Sequence, residues 1–141
     1  MHPIHPMIVH FPIALLATGW CFDLLASWRR SDRLRETGFH LSIVGLLSTV
    51  LAVVTGHFAE EAVEHSGVPE QALEIHEQLG FITFWIFFGL LGLRMAMRWG
   101  WVRDSQAVIV VAGAVGVIVL LVASYFGGDL VYRYGAGVEL S

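Results

Sequence analysis

The chain has no lysine, one cysteine and few charges of either sign. Eight basic residues, all arginine, face twelve acidic ones, and charged residues make up 14% of the 141. An ordinary soluble domain carries roughly 25%. A net charge of −4 argues against nucleic acid as a partner. The lone Cys21 excludes an internal disulfide, a CxxC redox pair and a CxxCH haem-c attachment site. No glycine-rich phosphate loop and no nucleophile–base arrangement occur, so a self-contained enzyme is a poor reading and a carrier or binding module a better one. What is abundant is apolar: 56% of residues are hydrophobic and the mean hydropathy is +0.69. The length allows one domain, 1–141, and the composition makes it an integral membrane protein.

A membrane-spanning helix needs about 20 mostly apolar residues. Four segments qualify: Met7 to Trp28, Phe39 to His57, Leu79 to Trp99 and Ala107 to Gly127. Short connections favour an antiparallel four-helix bundle, an all-α fold in the bilayer. Pro12 is expected to loosen the first span. Gly127-Gly128 reads as the stop of the fourth. Small residues (Gly89 and Gly92; Ala112, Gly113, Ala114 and Gly116) offer close helix approach. Ser42, Ser48, Thr49 and Thr55, in apolar helix, are expected to bond to backbone carbonyls.

The connections sort by charge. Arg29, Arg30, Arg33 and Arg35 follow the first span, and Arg94, Arg98 and Arg103 sit at the other corner of the same end. Glu60, Glu61, Glu64, Glu70, Glu74 and Glu77 lie between the second and third spans. The positive-inside rule then puts both arginine corners in the cytoplasm and both termini outside, with Trp28, Trp99 and Trp101 at the inner boundary. Asp23 and Arg94 fall at similar depth and are expected to pair.

The chemistry-bearing residues are histidines. Six of the seven, His2, His5, His10, His57, His65 and His76, gather at the outer end, leaving His40 near the inner one. Ionisable groups at membrane depth are costly and mark function. His10, His57 and His76 open or close three different spans at one level, as ligands converging in a bundle would. The expected site is one haem b, with His10 and His76 as axial ligands. His57 is held in reserve, His5 stands behind the ligands, Gly80 makes room for the macrocycle and Arg133 meets a propionate. Electron exchange with a quinone or a periplasmic redox protein would follow. A competing expectation is a Zn, Cu or Fe ion held by His57, Glu61, His65 and His76, the first three spaced i, i+4, i+8. A third is a cofactor-free subunit of a larger membrane complex or homo-oligomer.

The opening His5-Pro6-Met7-Ile8-Val9-His10-Phe11-Pro12-Ile13-Ala14 resembles the HPxxVHFPIA-like signature of a family of short bacterial inner-membrane proteins with four spans. Thr55-Gly56 and His76 also look like family positions. The resemblance covers the whole chain and implies the fold and the inner-membrane location, without an activity. The layout of histidines on four helices is similar to that of small b-type membrane cytochromes, an analogy of architecture.

Overall fold

The structure is a computed structural model that describes residues 4–63 and 67–136. It is all-helical: α1 (Ile4–Ile8), α2 (His10–Arg29), α3 (Asp32–Val63), α4 (Glu70–Arg98) and α5 (Gln106–Tyr134). The first two form one apolar rod, Ile4–Arg29, interrupted at Val9. Pro12 has no N–H to give to the Ile8 carbonyl, so the ladder lapses there, and it resumes with Ile13 N–H bonding to Val9 O at 3.4 Å. Four rods are thus long and apolar enough to cross a membrane.

The helices overrun the expected spans. The second begins at Asp32 rather than Phe39 and passes His57 to reach Val63; the third begins at Glu70 rather than Leu79. The expected limits marked where apolarity ends, but the flanking Arg, Glu, Gln, Leu and Ala residues are good helix formers and carry the backbone onward. The 32 residues of α3 make a rod of about 48 Å, against about 30 Å of hydrocarbon. Gly127-Gly128 is not a stop. The fourth rod runs through it to Tyr134 and ends at Gly135, whose φ of 69° is the left-handed conformation that terminates helices.

Neighbouring rods pack around a ring, α2 on α3, α3 on α4, α4 on α5 and α5 on α2. Close approach is made by glycine. A Cβ at Gly45 would lie 2.7 Å from Leu16 Cδ2, and one at Gly116 would lie 2.9 Å from Phe87 Cζ. Gly113 seats the Trp20 indole, whose Nε1–H donates to Val110 O at 3.0 Å and ties α2 to α5. Gly89 and Gly92, by contrast, meet nothing within 4 Å. The outer surface is apolar and aromatic (Phe81, Trp85, Phe88, Val111, Ile118), as a lipid-facing surface must be, while Asp23, Ser42, Thr49, Thr83 and Arg94 are buried. The hydroxyls satisfy themselves as expected: Ser42, Ser48, Thr49 and Thr55 donate to carbonyls four residues back.

Each inward stripe advances in steps of three and four residues. In α2 the buried positions are Pro12, Leu16, Gly19, Asp23 and Ala26; in α4 they are Thr83, Phe87, Leu90, Arg94 and Met97. This 3.5-residue period is the knobs-into-holes seam of a left-handed bundle.

Candidate functional site

Counting back along the α2 stripe from Pro12 reaches Val9 and then His5. Counting back along the α4 stripe from Thr83 reaches Gly80 and then His76. The two imidazoles meet, with ring centres 6.2 Å apart and planes at 75°. Each is held from a flanking helix. His76 Nδ1 lies 3.0 Å from the Ala123 carbonyl of α5, which can only accept, so Nδ1 carries the proton. His5 Nδ1 lies 3.2 Å from Thr55 Oγ1. The Thr55 hydroxyl gives its one proton to Leu51 O at 2.8 Å, which leaves its oxygen to accept from His5 Nδ1–H. Both Nε2 atoms therefore keep a lone pair, the tautomer that metal-ligating histidines adopt when a second group orients them.

Glycines make the seats. A Cβ at Gly56 would stand 3.0 Å from His5 Cε1, and one at Gly127 would stand 2.7 Å from His76 Cε1. Any larger residue at either position would push its imidazole aside. Thr55, Gly56, Ala123 and Gly127 were not among the expected site residues; Thr55-Gly56 stood out only as family positions, and it is the packing of α3 and α5 against the two stripes that brings all four to the imidazoles.

The expected ligand His10 is elsewhere. Five residues of helix rotate a side chain by about 140°, so His5 and His10 cannot share a face; His5 faces the bundle and His10 is exposed. His57 is also exposed, its ring beside Phe58 at 6.3 Å. Gly80 lies one turn from His76 on the same stripe, and nothing stands within 4 Å of where its Cβ would be. Arg133 is 69% exposed, 3.8 Å from Asp129 and against Tyr134. His2, His65 and the side chain of Glu61 lie outside the described residues. Among those described, no three His, Cys, Asp or Glu side chains gather as a metal-ligand cluster.

The opposite end holds a second pair on the same two rods. Arg94 donates twice to Asp23, at 2.7 and 2.8 Å, both residues buried. Ser42 Oγ at 3.4 Å and Arg35 O at 3.2 Å accept further guanidinium protons. Phe39 lies under Arg94 and Arg98, and Gln106 Nε2 donates to Asp23 O at 3.1 Å. His5 to Asp23 and His76 to Arg94 are both eighteen residues, about 27 Å of helix, close to the thickness of a hydrocarbon core. The ion pair and the imidazole pair thus fix one register at both ends. At the surface Arg98 pairs with Glu36 and Arg35 forks onto Asp104, and the Arg35 guanidinium holds the Asp104 carboxyl below its ordinary range.

These features define a four-span, all-helical membrane protein with a paired-imidazole site at one end. The chain belongs to the family described as Predicted membrane protein (DUF2231), which it matches over residues 1–140. No curated protein and no solved structure matches it.

Proposed function

We propose that the chain binds one haem b through His5 and His76 and carries electrons at the membrane surface. The observation behind this reading is the orientation of the two imidazoles. Each is held through Nδ1 by a group on another helix, and each keeps its Nε2 lone pair. Two imidazoles on opposite sides of one metal ion have ring centres about 6.3 Å apart, given a metal–nitrogen bond of about 2.0–2.1 Å and about 1.1 Å from nitrogen to ring centre. The observed 6.2 Å agrees.

Haem suits this donor set better than a bare ion. A bare zinc ion asks the protein for three or four ligands, whereas haem iron asks only for axial ones. The open space at Gly80 favours a flat ring beside His76. Relative to the sequence-based expectation, His5 takes the place of His10. Bound haem supplies one-electron exchange, with a quinone or a periplasmic redox protein as partner. The arginine-rich end supports a bacterial inner-membrane orientation with both termini and the imidazole pair on the periplasmic side. Reporter fusions at the C-terminus test that orientation, and cytoplasmic reporter activity would reverse it.

The test of the cofactor is an absorption spectrum of the detergent-purified protein, made with ample haem supply, before and after dithionite. Metal analysis is run on the same sample. A Soret band that sharpens and shifts on reduction, with about one iron per chain, is expected for one bis-imidazole haem. Zinc or copper without that band would transfer the site to a bare ion. A colourless, metal-free protein that co-purifies with a stable partner would make it a cofactor-free subunit.

A further inference from the structure

The arginine end carries a cleft that neither pair explains. It lies where the end of α2 and the starts of α3 and α5 converge, with a volume of about 210 Å³. Its polar lining is Ser27, Arg30, Ser31, Asp32, Arg35 and Gln106. Gln106 is oriented by its bond to Asp23 O: Nε2 must be the donor, so Oε1 points the other way. That Oε1 is buried and has no hydrogen-bond partner among the described residues. A buried acceptor without a donor calls for a missing ligand or water.

Arg30 supplies the opposite requirement. It ends α2 in the left-handed conformation, φ 49° and ψ 46°, where glycine is the usual residue. The chain places a guanidinium there instead, on the cleft wall. Arg35 is already engaged by Asp104, so Arg30 is the lining cation left to meet an anion, against the opposing charge of the Asp32 carboxylate on the same cleft. The depth is that of lipid headgroups. Trp28 lies in sequence between the lining residues Ser27 and Arg30 and is 76% exposed, and Trp99 and Trp101 are exposed at the same end.

We infer that this cleft binds a phosphate ester that also carries a hydroxyl, and that its source is the headgroup of an anionic glycerophospholipid. The phosphate meets Arg30 and the serine hydroxyls, and the headgroup hydroxyl reaches Gln106 Oε1 by displacing the side chains that cover it. Arginine presented at headgroup depth between membrane helices holds anionic headgroups in this way.

The test is native mass spectrometry of the delipidated full-length protein in detergent, titrated with phosphatidylglycerol, phosphatidylcholine or soluble glycerol 1-phosphate. Phosphatidylglycerol is expected to bind in preference to phosphatidylcholine, which is neutral and has no headgroup hydroxyl. Arg30→Gly removes the cation while relaxing the backbone. Its stability in lipid-free detergent should be unchanged or higher, while phosphatidylglycerol affinity falls about tenfold, the loss of one charge-assisted hydrogen bond. Arg103→Ala, at the same end and outside the cleft, should bind as the parent does. Equal binding of the two lipids overturns the inference. So does an Arg103→Ala loss as large as that of Arg30→Gly, which would mean diffuse charge attraction. Saturation by glycerol 1-phosphate with no lipid preference keeps the phosphate chemistry and overturns the lipid source.

Discussion

Removing one member of the buried ion pair should cost far more than removing both. Asp23 and Arg94 are 2% and 5% exposed, so no water can replace a lost partner. Arg94→Met leaves a buried carboxylate without its counter-ion, with the Gln106 amide still beside it, and strips a donor from Ser42 and from the Arg35 carbonyl. Breaking a buried pair by removing one partner costs about 3–5 kcal/mol, whereas replacing both by apolar residues of similar volume is often neutral or stabilising. Asp23→Leu with Arg94→Met should therefore recover most of the single-variant loss. The recovery is limited by Gly38, where a Cβ would already lie 2.7 Å from Asp23 Oδ1, so the leucine methyls fit tightly. The assay is SDS-driven unfolding in mixed micelles, followed by far-UV circular dichroism, on the parent, both single variants and the double variant. A loss below about 1 kcal/mol for Arg94→Met, the level of an exposed pair, would refute the reasoning. A double variant that loses the sum of the single losses would do the same, because it would deny the coupling between the partners.

Other outcomes follow from the same geometry. Gly127→Ala places a methyl 2.7 Å from His76 Cε1; it should cost about 1–3 kcal/mol as overpacking and, on the haem proposal, lower the Soret absorbance per chain. Thr55→Val keeps the shape but removes the acceptor for His5 Nδ1–H, and should weaken binding at the proposed haem site about 10–100-fold, as loss of an orienting partner does, measured by haem titration into the purified protein. Asp104 has its carboxyl lowered by Arg35, so its contribution is present above the ordinary aspartate range and is lost as pH falls through the lowered value. Asp104→Asn should abolish that acid-side loss, which amounts to at most about 1 kcal/mol for so exposed a pair, in thermal melts at stepped pH.

Composition and apolar run length were enough to read the four rods, because a bilayer admits little else at this hydropathy. Their ends were not legible in apolarity, since Asp32–Glu36 and Glu70–Gln78 are polar yet favour helix. The Asp23–Arg94 pair was legible as two opposite charges at one depth. His10 illustrates the harder part. Depth alone ranks it with His76, and only the direction around the helix separates it from His5. That direction is set by the 3–4 stripe through Leu16, Gly19 and Asp23, which must be followed across the lapse at Val9. Gly56 and Gly127 were hidden for another reason: a glycine's role as a seat depends on what another helix presses against it.

The proposed assignment is that His5 and His76 hold the haem and His10 does not. It is tested most directly by haem content per chain in the parent and in His5→Ala, His76→Ala and His10→Ala, purified side by side and read as reduced-minus-oxidised spectra. The first two variants should lose the low-spin bis-imidazole signal while His10→Ala keeps it. Loss in His10→Ala with retention in His5→Ala would contradict it.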